Sequence, residues 1–222
     1  MKYSNSKLVD YKKLSPNYNR RSGVISKITI HHMAGNLTVE RCGNVFAARS
    51  RKASSNYGVG SDGRIGLYVE ERNRAWTSSN AKNDYQAVTI EVANDGPGPQ
   101  WHVSDKAIAA TIDLCVDICE RNHITALNYT GDATGNLTRH NMFKNTNCPG
   151  PYLQSKFPYI AKEVNKRLKN YGTTTLNITV VAQDVIKGKY GNGQERKNKL
   201  AAAGYDYKTV QAKVNEILRR NK

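Results

Sequence analysis

Acidic residues are scarce in this 222-residue chain: 18 Asp and Glu stand against 34 Lys and Arg, for a formal net charge of +16. An excess of that size implies an anionic partner, whether nucleic acid, a membrane surface or an anionic polymer such as a bacterial wall. The clustering that grips nucleic acid, with basic residues on one helix or interleaved with aromatics on a sheet, is also missing. Residues 1–172 hold 24 positive charges against 14 negative, and residues 173–222 hold 10 against 4. Charge this diffuse favours a large polyanionic surface over a groove reader, and no specific nucleic acid is expected as partner. Long apolar runs are absent, which excludes membrane insertion. The first twenty residues are positively charged but lack the apolar core of a secretory signal. The expectation is a protein that stays in the cytoplasm of the producing cell and reaches any outside target only after release. Cysteine is sparse as well. Cys42, Cys115, Cys119 and Cys148 form no CxxC pair and no dense framework, so a disulfide scaffold is excluded. Cys115 and Cys119, four apart in a helical pattern, read as core thiols.

What is present is enough for one good core and a small appendage. The stretch Lys27-Ile-Thr-Ile-His-His-Met-Ala-Gly35 reads as a strand over Lys27 to His31 that enters a turn. Alternation puts Ile28, Ile30 and His32 on one face and Lys27, Thr29 and His31 on the other. His32, with the isoleucines, is expected to be a core histidine with its nitrogens satisfied. His31, turned the other way at the strand end, is free to face a cleft. Its candidate partners lie over a hundred residues on, in Arg139-His140-Asn-Met-Phe-Lys-Asn-Thr-Asn-Cys148-Pro149. His31, His140 and Cys148 together would hold Zn²⁺ with a fourth position open, the arrangement of a catalytic site.

Thr38 to Arg51 predicts a helix capped by Thr38, and Asp62-Gly63 a hairpin turn between short strands, the first bearing Tyr57. Taken alone, Tyr57 is an ordinary half-buried sheet tyrosine. Ala87 to Ala93 predicts a strand in which Glu91 shares a face with Thr89 and opposes Val88, Ile90 and Val92. A carboxylate there is either exposed at a sheet edge, or paired, metal-linked or lining a wet cleft. Ser104 caps an amphipathic helix with Ile108, Ile112, Cys115, Ile118 and Cys119 on its buried stripe. His102 and His123 flank it as surface residues. A further helix is expected from about Phe157 to Lys169. The fold class is therefore α/β, a mixed central sheet flanked by helices. Residues 1–172 make the main domain and 173–179 a linker. Residues 180–222 form a three-helix module, with helices near Val180 to Ile186, Gln194 to Ala203 and from a capping Asp206.

Ile30-His31-His32-Met-Ala-Gly, Ser55-Asn-Tyr57, Thr89-Ile-Glu91 and His140-x₇-Cys148-Pro149 together resemble the type 2 N-acetylmuramoyl-L-alanine amidases over about residues 22–170. Val181-Ala-Gln-Asp-Val-Ile-Lys-Gly through Leu200-Ala-Ala-Ala-Gly-Tyr205 and Val214-Asn-Glu-Ile-Leu218 resemble the Cpl-7-type cell-wall-binding repeat. The resemblance implies an endolysin of phage or prophage type: a zinc enzyme that cuts the amide between N-acetylmuramic acid and L-alanine in peptidoglycan, of Gram-positive type, with anionic wall polymers held by charge. It implies His31, His140 and Cys148 as zinc ligands, Glu91 as general base and Tyr57 as oxyanion donor. Thr146 stands where some relatives carry a catalytic lysine, and its hydroxyl is a weaker donor to the same oxyanion. The alternative is a peptidoglycan-binding protein without catalysis.

Overall fold

The computed structural model describes residues 3–169 and 177–220. The chain divides into two compact units, Met1–Leu168 and Lys169–Lys222. Of the linker expected at 173–179, residues 173–176 lie outside the described residues, and residues 177–179 are helical instead of linker.

The first unit is built on a sheet whose centre is two parallel strands, β3 (Lys27–His32) and β7 (Ala87–Val92). Both are rich in β-branched residues, the composition that suits a strand covered on both faces. The other strands are short: β1 (Tyr11–Lys12), β2 (Tyr18–Arg20), β4 (Tyr57–Val59), β5 (Ile65–Leu67), β6 (Asn73–Ala75) and β8 (Leu137–Arg139). The main sheet runs β1-β5-β4-β7-β3-β8, with β2 and β6 paired separately. Only the β4–β5 hairpin is antiparallel within the main sheet. Its turn closes at Gly63, where φ is +89°, a conformation that favours glycine.

One face carries the core. Ile28 and Ile30 of β3 and Val88, Ile90 and Val92 of β7 pack beneath α3 (Asp105–Arg121), through Ile108, Ile112, Cys115 and Ile118. Leu153, Phe157, Ile160 and Val164 of α4 (Pro151–Ile186) complete it. The Ser104 hydroxyl caps α3 by accepting from the Ala107 amide at 3.1 Å. Helix α4 starts six residues before the expected Phe157, because Pro151 suits a first helical position, where a missing N–H costs nothing.

The opposite face is polar. Thr29, Thr89 and Thr138 are each fully buried there, tied by a Thr29–Thr138 hydroxyl bond of 2.9 Å and by Asn56 and Asn83. Helix α1 (Val39–Ala47), capped as expected by Thr38, lies over this side with Cys42 and Phe46 packed on Tyr68. The short α2 (Ala81–Gln86) precedes β7. All four cysteines are buried and free.

In the second unit the residues of α4 from 177 on, α5 (Gly193–Ala202) and α6 (Tyr207–Arg220) enclose a small core of Val181, Ala182, Val185, Leu200, Val210 and Val214. Asp206 caps α6, its carboxylate accepting from the Thr209 amide at 2.8 Å. No helix among the described residues is long and apolar enough to cross a membrane.

Candidate metal centre and its cavity

The polar face of the sheet opens into a cavity of about 580 Å³. Three elements bring its central residues together. Strand β3 ends in His31 and His32, and the register partner of His31 on β7 is Glu91. Strand β8 runs straight into a 3₁₀ turn that begins at His140. Cys148 comes from the loop before α4, which is fixed to the His140 turn by the Asn141 amide donating to the Cys148 carbonyl at 3.2 Å.

One ligand atom from each of His31, His140 and Cys148 lies within 4.8 Å of the other two. The Cys148 Sγ to His31 Nδ1 separation is 3.6 Å. Tetrahedral zinc, with Zn–S of about 2.3 Å and Zn–N of about 2.05 Å, sets an S···N spacing of about 3.6 Å. The remaining nitrogen of His31, Nε2, and Nε2 of His140 are buried without partners. Burial also holds both imidazoles below their ordinary pKa, so they are neutral and able to ligate at pH 7. Burial and the neighbouring Glu91 raise the Cys148 thiol above its usual range. A cation between the three would reverse that balance, since a coordinating thiol loses its proton outright. The donor set therefore fits a divalent metal, and soft N and S ligands suit zinc.

Glu91 lines the same cavity, with Oε2 unpaired. Burial pushes its carboxyl up to about 8, against a downward pull from Arg51. Of the two readings open for Glu91 at the level of sequence, the cleft is the one found. Thr146 is also at the cavity, its hydroxyl oxygen accepting from the Cys148 amide at 3.3 Å while its own proton stays free to donate.

Tyr57 is not in the cavity, which corrects its expected place beside the metal set. Its register partner is Ile90, so its side chain leaves β4 on the core face, opposite Glu91. There it is fully buried, donates to Glu71 Oε1 at 2.7 Å and accepts from the Ser6 amide at 2.9 Å. Glu71 in turn is gripped by Arg121, at 2.7 and 2.9 Å. Tyr57 thus pins the N-terminal arm to the end of α3. Burial and Glu71 raise its phenol far above the usual range.

His32 is likewise corrected. It is buried, at 8% exposure, but its Nδ1 has no partner and the residue lines the cavity. As the last residue of β3 it meets loop rather than strand, and its ring stands edge-on to Trp101 at 5.3 Å.

Other cavity residues, among them Arg51, Trp76 and Trp101, carry little signal in the sequence. Ala34, Ser79 and Trp101 also line it, at φ of +51°, +58° and +53°. Each such non-glycine residue costs on the order of 1–3 kcal/mol, and strain of this kind gathers at functional sites. Only the placing of Trp76 and Trp101 outside the helical and strand patterns hints at this.

The chain is similar to known proteins. The family model described as N-acetylmuramoyl-L-alanine amidase matches residues 20–151, and the CW_7 repeat matches residues 180–218. A lysozyme of Streptococcus phage Cp-7 is 57% identical over 48 residues, which is 22% of this chain and 14% of that protein. The structure of PlyL superposes at a TM-score of 0.57 with 15% identity, over 70% of this chain and 96% of that one. An AmpD derivative gives 0.53 with 16% identity, over 72% and 99%. The Drosophila peptidoglycan recognition protein SA gives 0.50 with 17% identity, over 66% and 84%. At these identities the three structures speak for the fold.

Proposed function

The chain belongs to the N-acetylmuramoyl-L-alanine amidase family and carries a CW_7 repeat behind it, and from that premise we propose that it is an endolysin-type zinc amidase. Its substrate is the amide joining N-acetylmuramic acid to L-alanine in peptidoglycan, and residues 180–222 hold it to the wall. The observation that carries this reading is the His31–His140–Cys148 cluster, spaced for one metal ion and facing Glu91 across a single register position.

His31, His140 and Cys148 hold the ion. When bound, zinc supplies Lewis-acid polarisation of the scissile carbonyl and a more acidic water. Glu91 is the general base. In the metal-free site its carboxyl stands at about 8; a nearby cation favours the ionised form, which leaves a base poised near neutral pH. It takes a proton from the attacking water and returns it to the alanine nitrogen as the C–N bond breaks. The Thr146 hydroxyl donates to the carbonyl oxygen as negative charge builds there. Tyr57 takes no part. The net charge of +16 adds adsorption to anionic polymers of a Gram-positive wall.

Mass spectrometry of purified sacculi after digestion tests the reaction. The expected products are stem peptides with a free L-alanine amine and glycan strands with free lactyl carboxyls. New reducing sugar ends, or no products at all, would remove the assignment.

A further inference from the structure

A threonine stands two residues before each of three cavity residues, in Thr29-Ile-His31, Thr89-Ile-Glu91 and Thr138-Arg-His140. Register stacks these pairs into two rows on one face of the sheet. Thr29 faces Thr89 on one side and Thr138 on the other, and His31 faces Glu91 one pleat further on. His140 follows directly on β8, its ring 4.7 Å from that of His31. The threonine row beneath is sealed from solvent, with Thr29, Thr89 and Thr138 all fully buried. Packing alone does not ask for hydroxyls there. Valine has the same shape and the same preference for strands, and carries no polar atom to desolvate.

The hydroxyls form a directed chain instead. Asn83 Nδ2 donates to Thr29 Oγ1 at 2.9 Å, and the Thr138 hydroxyl donates to the Ile28 carbonyl at 3.4 Å. The 2.9 Å bond between the two threonines therefore runs from the Thr29 proton to the Thr138 oxygen, so that each hydroxyl gives one proton and takes one. Asn83 is itself held, with Nδ2 3.4 Å from Oδ1 of the buried Asp84. Asp84 also accepts from the Ser78 hydroxyl at 2.6 Å and the Thr77 amide at 3.2 Å. The Thr77 hydroxyl bonds to that of Thr89 at 2.9 Å, which ties the β7 side of the row to the same loop.

We infer that this row is the positioning layer of the metal set: the Thr29–Thr138 bond fixes β8 against β3, and with it the spacing of His31 and His140. The inference deepens the amidase reading and rests on its metal ligands, although neither threonine touches metal or substrate. Strand β8 is the edge of the sheet and pairs with β3 alone, over Leu137–Arg139. So short a main-chain pairing leaves much of its placement to a buried side-chain bond across it. Supporting groups outside the ligand set commonly change metal affinity by about 10–100-fold.

Thr138→Val keeps the shape and removes the hydroxyl, and Thr138→Ser keeps the hydroxyl and removes the methyl. Zinc affinity of the full chain is measured by competition with a chromophoric chelator, beside the urea midpoint of the metal-free protein. Thr138→Val is expected to bind zinc about tenfold more weakly, and Thr138→Ser to stay within about twofold of the parent. With cobalt in place of zinc, the d–d absorption should change in the valine variant and match the parent in the serine variant. A lower urea midpoint with unchanged zinc affinity and cobalt spectrum in Thr138→Val would overturn the inference, because the row would then serve stability alone. Equal losses of zinc affinity in both variants would overturn it as well, since the methyl would then be what counts. Should Thr138→Val fail to fold, Thr29→Val and Thr29→Ser repeat the comparison under the same criteria. Digestion of sacculi separates this inference from the reading beneath it. Hydrolysis by the parent, with zinc affinity unmoved in the valine variant, removes the positioning layer and leaves the amidase. Weakened zinc binding in that variant, without hydrolysis by the parent, does the reverse.

Discussion

Glu91 and Tyr57 lie on neighbouring strands and are both expected at the metal, and one unit of register separates their fates. Gly58, not Tyr57, faces Glu91, so the tyrosine emerges among apolar side chains on the far side of the sheet. Side-chain parity within a strand is legible in sequence, and it puts His31 and Glu91 on the polar face, but at the strand end it fails for His32, which lines the same cavity. Register between strands depends on turns and packing that the residues of one strand do not encode. Replacing Tyr57 by Phe is therefore expected to keep kcat within about twofold while lowering stability by about 1–3 kcal/mol, since Glu71 and the Ser6 amide lose a buried partner. Urea denaturation beside a muropeptide assay checks both halves. Glu91→Gln should keep its zinc and lose about 10²–10⁴-fold in turnover; unchanged turnover would remove it from the mechanism. The same substitution has a signature in the metal-free protein. With the folded carboxyl at about 8 against an ordinary 4.5, the folded chain binds a proton that the unfolded chain has released. That contribution is complete below about 4.5 and is lost as pH rises through about 8. The urea midpoint of metal-stripped protein should fall across that window, and Glu91→Gln should flatten the fall.

At the scale of elements, the long pieces are readable in the sequence and the short ones are not. Strands β3 and β7 and helices α1 and α3 announce themselves by apolar period and by the Thr38 and Ser104 caps. Strands β1, β2, β6 and β8 have two or three residues each, too few to show an alternation; β8 pairs with the long β3, β1 with the short β5, and β2 and β6 with each other. The start of α4 is hidden in Cys148-Pro149-Gly150-Pro151, where a rigid turn and a helix N-terminus share the same residues. One close approach in the hairpin has a measurable consequence. A Cβ on Gly58 would stand 2.6 Å from the Tyr68 ring, whose hydroxyl is anchored on the Val39 carbonyl of α1 at 2.8 Å. Gly58→Ala is expected to cost about 1–3 kcal/mol through overpacking, seen as a lower thermal midpoint. An unchanged midpoint would mean that α1 gives way freely.

For the molecule as a whole, the chain has two compact units, Met1–Leu168 and Lys169–Lys222, each with a core of its own. The second unit has its own small core and its own excess of basic residues. Removing residues 173–222 should leave hydrolysis of soluble muropeptides within about twofold and weaken attack on whole walls. Adsorption of the full chain to walls should weaken as salt rises, because exposed charge is screened within about 10 Å at 0.1 M ionic strength. Loss of soluble-substrate turnover in the shortened chain would instead make the tail part of the catalytic fold. The cavity is the least legible feature at this scale. Its walls come from β3, α1, β7 and loops scattered between His31 and Cys148, and the left-handed backbone at Trp101 has no sequence signature. The most direct test of the whole account is anomalous diffraction at the zinc edge from crystals of the zinc-loaded protein. One peak, bonded to His31, His140 and Cys148, is the predicted result, and a map with zinc elsewhere or with no peak at these three side chains would contradict it.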